Sequence, residues 1–154
     1  MRYFLLDKIV SYEAGKSGRG IKNVTLTDEV LHDHFPDVPV LPGALLIEGM
    51  AQLAGFVLEI GKPPPVMRAV LAQIEKAKFH SPAGPGDQIA LQVFVAHSLE
   101  AAAQVDAEAH VGDRCIARAR LTFMLRRIEA ERVHTQRERL YALWTRELRE
   151  GAQP

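Results

Sequence analysis

The chain has a single cysteine, Cys115, in 154 residues. No internal disulfide framework is therefore possible, and the fold must rest on its core. Such thiol poverty fits a reducing compartment, so a cytoplasmic location is expected. There is no excess of charge either: 19 basic and 19 acidic residues leave a formal net charge of zero. That argues against the broad cationic field that holds nucleic acid, so no nucleic-acid partner is expected. No repeat and no low-complexity segment occurs. The opening MRYFLLDKIV has Asp7 and Lys8 too early for a secretory leader and no small-residue cleavage site. The apolar run after Gly43 approaches membrane-spanning length, but Glu48 and Gln52 interrupt it, with Gly49 and Gly55 beside them. Charged groups inside a bilayer are rare, so the run reads as a buried helix of a soluble protein, with no membrane partner.

What is present is ordinary in bulk: 47% hydrophobic and 25% charged residues, enough for one good core. The order of elements is more informative. Residues 3 to 13 read as a strand and GKSGRG, 15 to 20, as a glycine turn. A second strand follows over 21 to 26, with Thr27 placed to cap a single helical turn. Gly61 and Pro63 to Pro65 stop the central helix. Residues 66 to 80 look helical at first and strand-like later. Period-two patterns follow over 88 to 97, 102 to 111 and 114 to 126, with Cys115 read as buried and inert. Several strands in sequence with one long buried helix predict an α+β fold, an antiparallel sheet curled around the helix. From Ile128 to Glu150 the pattern is helical, with an apolar stripe at Leu140, Tyr141, Trp144 and Leu148. Seven arginines and five glutamates between Arg126 and Glu150 read as a solvated, ion-paired face, or else as a docking surface for an acidic partner.

The centre of the chain is HFPDVPVLPGALLIEGMAQLAGFVLEI, residues 34 to 60. Pro42 and Gly43 stand where a helix starts, a position that suits proline because its missing N–H has no partner there anyway. Glu48, Gln52, Gly55 and Glu59 share one helix face at i, i+4, i+7 and i+11. Glu59, near the helix end, is expected to reach water, and Glu48, near the start, is expected to be buried. A buried carboxylate must be paired, protonated or used. A histidine on a proline-rich turn and a buried glutamate can divide proton transfers between them at neutral pH. The bland alternatives are a structural carboxylate at Glu48, or a metal held by His32, Asp33, His34 and Glu48. No cluster completes a metal shell, so no metal and no cofactor is expected. Gly49 and Gly55 read as close-packing positions between helix and sheet. His80, His97, His110 and His134 stand in no motif.

These residues closely resemble the signature of FabZ-type 3-hydroxyacyl-acyl-carrier-protein dehydratases, which have the hot-dog fold. The matching features are His34-Phe35-Pro36, Pro39-Val40, Pro42-Gly43 and Glu48 followed by Met50-Ala51-Gln52, with 14 residues from histidine to glutamate. RYFLLDKI, KNVTL and KAKFHSPAGPGDQIAL extend the likeness over about residues 2 to 126. FabA-type relatives carry Asp at the Glu48 position and usually Trp before the glutamine, so Glu48 and Ala51 favour the FabZ side. Asp37 and Val38 stand where Gly and often Arg are common, and His80 and Ser81 replace basic residues often found before the proline.

The resemblance implies a hot-dog dehydratase unit over 1–127 with a helical tail over 128–154. It implies removal of water from a (3R)-hydroxyacyl thioester carried on acyl carrier protein or CoA, giving a trans-2-enoyl product in fatty-acid or related polyketide or polyene synthesis. His34 would take the α-proton. Glu48 would serve the departing hydroxyl, with either group able to return the proton. The Gly43 N–H would steady the thioester oxygen, and Gln52 would orient Glu48. Phe35, Val40, Leu41 and Phe79 are the candidates for the substrate tunnel. The family also implies a homodimer with sites shared between subunits, and allows a trimer of dimers as the larger assembly. A hot-dog thioesterase and a non-catalytic acyl-binding subunit are the competing functions.

Overall fold

The computed structural model describes residues 4–63, 65 and 67–150. Six strands form one antiparallel sheet: β1 (Lys8–Glu13), β2 (Ser17–Asn23), β3 (Met67–Phe79), β4 (Gln88–Ser98), β5 (Ala102–Val111) and β6 (Arg114–Arg127). Their order across the sheet is β1-β2-β4-β5-β6-β3, so β1 and β3 are its edges. Helix α1 (Gly43–Glu59) packs across the sheet. A 3-10 turn at Glu29–Leu31 precedes it, and α2 (Glu131–Trp144) and α3 (Arg146–Glu150) close the chain. This is the α+β arrangement that the pattern of strands and helix implies.

The core forms where α1 meets the sheet. Met50, Leu53, Ala54, Phe56 and Val57 of α1 have no exposed surface, and Ile89, Leu91, Val93, Val105 and Leu121 face them from the strands with none either. Burial of a side chain of this size is worth roughly 1.5–3 kcal/mol each, so this layer dominates the fold's stability.

The structure departs from the sequence reading at several places, each for a packing reason. The first strand begins at Lys8, not at residue 3, although Leu6 is in the core. In GKSGRG only Gly15 turns, at φ +70, while Gly18 and Gly20 lie inside β2. A Cβ at Gly18 would sit 2.6 Å from Val57 Cγ2, so this glycine admits α1 rather than bending the chain. The 3-10 turn follows Asp28, whose carboxylate accepts from the Thr25 N–H; Thr27 does not cap it. Residues 67 to 79 are strand throughout, because β3 pairs with β6 along its whole length and tertiary pairing overrides local helix preference. The tail helix breaks at Thr145, whose hydroxyl donates to the Tyr141 carbonyl. Cys115 is half-buried rather than buried: a register shift in the β5–β6 ladder precedes it, and Ile116 takes the interior position.

Gly49 behaves as a close-packing residue should. A Cβ there would lie 2.8 Å from the Leu5 carbonyl oxygen, a backbone atom that cannot swing aside. Gly49→Ala is expected to destabilise by about 1–3 kcal/mol, the usual penalty of overpacking, measured by urea unfolding. Gly55 does not face the sheet at all; the nearest atom to a Cβ there belongs to Arg137 of α2, 4.0 Å away.

Candidate active site

His34 lies on the loop that joins the 3-10 turn to α1. Its Nδ1 is 3.0 Å from the Val40 carbonyl oxygen. A carbonyl only accepts, so Nδ1 carries the proton and Nε2 keeps its lone pair in the neutral ring. The backbone repeats the tie in reverse, with the Val40 N–H donating to the His34 carbonyl at 2.8 Å. Phe35 and Val38 bond to each other through their own backbones, and the Leu41 N–H reaches the Ala83 carbonyl at 2.8 Å. The His34–Phe35 peptide is cis, and the two rings stack with centroids 4.2 Å apart. The loop thus knits itself together and holds one imidazole nitrogen ready to accept.

The loop leads into the N-terminus of α1. Pro42 precedes it with no side-chain cap, and Gly43 opens it. The first N–H groups of a helix have no intrahelical acceptor, and the helix dipole makes that end attractive to negative charge. The Phe79 ring from the end of β3 crowds this point. A Cβ on Gly43 would be 2.8 Å from its Cε1. Phe35 and Phe79 are exposed, Val40 is half-buried and Leu41 is buried.

Glu48 lies five residues along α1, about 7.5 Å up the axis from Gly43 and about 140° around it. It is half-buried, not buried. The Gln52 amide donates to its Oε1 at 3.0 Å. The other end of that amide accepts the Leu5 N–H at 3.1 Å. Gln52 is therefore fixed at both ends, and it fixes the carboxylate in turn. Glu48 and Gln52 border a cavity of about 600 Å³ whose other walls include Phe4 and, from α2, Leu140, Leu143 and Trp144. None of His34, Phe35, Val40, Leu41 and Phe79 borders it. Within one protomer, then, the loop residues gather at the mouth of α1, while Glu48 and Gln52 face α2.

The buried carboxylate on this helix is Glu59, contrary to the sequence reading. Its side chain accepts from Arg68 Nη1 at 2.7 Å, the Ala69 N–H at 2.9 Å and the Tyr141 hydroxyl at 2.7 Å. The tail folds over the end of α1 and shuts water out. Burial, and then the Glu59 carboxylate, push the Tyr141 hydroxyl well above the ordinary phenol range, so it stays a donor. Arg68 also donates to His134 Nδ1, with Nη2 at 2.8 Å, and His134 Nε2–H donates to the Ile128 carbonyl at 2.7 Å. Sequence reasoning missed this cluster. His134 and Tyr141 are seven residues apart, two turns on one helix face, which is the one local sign of it.

Among the described residues, the acids, histidines and cysteine come close enough to share an ion only at Glu108, His110 and Cys115. Glu108 there already accepts from Arg118 Nε at 2.8 Å and from His110 Nε2 at 3.0 Å. These two contacts hold its carboxyl below the usual range, the His110 bond contributing most.

Solved structures share this architecture, a hot-dog fold. A Streptococcus mutans protein bound to acetyl CoA superposes with a TM-score of 0.66 at 18% identity, covering 84% of this chain and 96% of the other. The ApeI:P dehydratase heterocomplex from Xenorhabdus doucetiae superposes at 0.57 with 20% identity, covering 77% and 96%. At such identities the likeness is one of fold. Sequence goes further. Residues 1–120 match the FabA-like domain. The 3-hydroxyacyl-[acyl-carrier-protein] dehydratase FabZ of Sulfurovum sp. is 39% identical over 130 residues, spanning 80% of this chain and 87% of the relative. The FabZ of Gluconobacter oxydans is 38% identical over 125 residues, spanning 80% and 74%. The chain belongs to the FabA/FabZ family of dehydratases, on its FabZ side.

Proposed function

We propose that His34 and Glu48 remove the elements of water from a (3R)-hydroxyacyl thioester on acyl carrier protein, as a step of fatty-acid synthesis. The chain is a hydro-lyase, a 3-hydroxyacyl-acyl-carrier-protein dehydratase, as its FabZ relatives at 38–39% identity support. The observation that carries the residue roles is the His34 tautomer. With Nδ1–H donated to Val40, only Nε2 is free to act as a base. Nε2 takes the proton from the α-carbon. The electron pair moves toward the thioester carbonyl, and the negative charge is met by the Gly43 N–H at the start of α1. Such a donor is worth about 3 kcal/mol of barrier. The pair then returns to form the Cα–Cβ double bond as the β-hydroxyl leaves. It departs as water, with a proton from Glu48 or from the His34 imidazolium. Gln52 is a positioning residue that keeps the carboxylate aimed.

Residues 1–127 form the catalytic unit in this reading, and 128–154 an accessory tail. The site is completed by a second copy. Within one protomer His34 is tied to Val40 and does not border the cavity that Glu48 lines, which argues for a shared site. β3 supplies a surface for pairing: it is an edge strand of 13 residues with Val70, Ile74 and Phe79 exposed. A long, apolar, unpaired edge is a template for another chain. Its Phe79 also touches Gly43, so a partner seated there approaches the site. Assembly as a trimer of such dimers is compatible with this arrangement. Among the described residues no helix is long and apolar enough to cross a membrane, in keeping with action on a soluble carrier in the cytoplasm.

The direct test is turnover of carrier-bound 3-hydroxyacyl chains, followed by enoyl absorbance. Glu48→Gln should lower kcat by about 10²–10⁴-fold while leaving the unfolding midpoint close to wild type. Release of free thiol without enoyl product would instead make the protein a thioesterase.

A further inference from the structure

Helix α2 lies beyond the FabA-like match, which ends at residue 120, yet it forms one wall of the Glu48 cavity. We infer that α2 is the acyl-chain selector of this enzyme, with Leu140 and Leu143 setting how long a chain can lie beside Glu48. The inference rests on the dehydratase reading above, because it takes Glu48 as the point where the reacting β-carbon sits.

Three observations carry it. The first is continuity. Glu48 and Gln52 are themselves lining residues, so a substrate whose β-hydroxyl meets Glu48 has its acyl tail at the entrance of this space. A volume of about 600 Å³ is within the ordinary range for small-molecule sites. The second is the chemistry of the walls. Beyond Glu48 and Gln52 the walls are mostly apolar, with Phe4, Val133, Leu140, Leu143 and Trp144 set among Gln136, Arg137 and Arg139, and the apolar part suits an alkyl chain.

The third is rigidity. A wall can select only if it is fixed, and α2 is fixed at both ends. The Trp144 indole N–H donates to the Leu6 carbonyl at 2.8 Å, with the ring buried. Tyr141 donates to Glu59 and packs edge-on against Phe56 of α1, ring centroids 5.0 Å apart. His134 is held by Arg68 and by the Ile128 carbonyl. The tail is thus bolted to the catalytic unit through groups that take no part in the reaction. Leu140 is one turn from Trp144 on the anchored side and is half-buried, whereas Leu143 lies away from the anchors and is exposed. Both border the cavity, and Leu140 also packs against the core.

The test compares kcat/KM on C4 and C12 3-hydroxyacyl-acyl-carrier-protein in wild type, Leu140→Trp and Leu140→Ala. Leu140→Trp should lower the C12-to-C4 ratio by about tenfold or more, and Leu140→Ala should raise it. A ratio unchanged in both variants overturns the proposal while leaving the dehydratase reading intact. If Leu140→Trp loses activity on both chains, an unchanged ratio in Leu140→Ala overturns it, and a raised ratio supports it. Dissociation of the oligomer by Leu140→Trp would assign this face to a second copy and likewise overturn it. A wild type inactive on both chains removes the dehydratase reading itself, and the proposal with it.

Discussion

Chains carrying His34→Ala and chains carrying Glu48→Ala, each nearly inactive alone, are expected to recover activity when unfolded together and refolded. Each single variant should fall by about 10²–10⁴-fold, the usual loss of a general acid or base. The recovery follows from symmetry. In a two-fold dimer with shared sites, a mixed dimer places both substitutions in one site and leaves the other intact. Random pairing of equal amounts makes half the dimers mixed, so about a quarter of wild-type activity should return. Sites contained within one chain would give no return at all. The physical basis is the geometry of α1. His34 is anchored through Val40 to the loop at the helix start, whereas Glu48 is held by Gln52 toward Leu5 and the tail. Neither side chain is free to swing to the other without breaking those bonds. A titration of one variant against the other, with activity peaking near equal amounts, checks the same claim without relying on the absolute yield.

Local chemistry makes much of the site legible in the sequence. The histidine turn, Pro42, Gly43 and the Glu48–Gln52 pair lie within a single stretch, and a helix start and an i,i+4 contact are local events. The Gln52-to-Glu48 bond is one such contact. What the sequence conceals is set by distant partners. The exposure of Glu48 and Glu59 is inverted relative to the reading from position along the helix, because burial depends on what covers each residue. Glu59 is covered by Arg68, which is near in sequence, and by Tyr141, 82 residues away. Gly18 and Gly20 mislead for a related reason. Glycine marks turns, but it also marks places where another element must come close, and only the position of α1 distinguishes the two. The start of β3 reads as helical because its pairing strand, β6, comes some fifty residues later, and pairing decides its state. The tail's stripe is plain from periodicity, but its targets, Glu59 and Phe56 for Tyr141 and Leu6 for Trp144, are not.

Glu59→Ala should be the most destabilising single change away from the reacting groups. The wild-type carboxylate is nearly solvent-free and satisfies three donors at once: a guanidinium, a backbone N–H and a phenol. Alanine leaves all three without it. Arg68 stays charged and buried, 5% exposed, with His134 Nδ1 as its remaining side-chain acceptor. Removing one partner of a buried ion pair typically costs about 3–5 kcal/mol, most of it from the charge left behind. Against a total stability of about 5–15 kcal/mol for a domain, that is a large share. The melting temperature should fall by roughly 10 °C. Tyr141→Phe offers the contrast, since it deletes one donor and leaves the Arg68 pair in place; its cost should be nearer ~1 kcal/mol. Replacing the pair together, as Glu59→Leu with Arg68→Met, should recover part of the loss, because no buried charge then remains unmatched. Hydrogen exchange supplies the structural readout. In Glu59→Ala the amides of α2 should lose protection before those of β4 and β5, because the tail is fastened through this cluster while those two strands supply none of its bonds. A Glu59→Ala protein within about 1 kcal/mol of wild type, with α2 still protected, would mean that Trp144 and its bond to Leu6 hold the tail unaided.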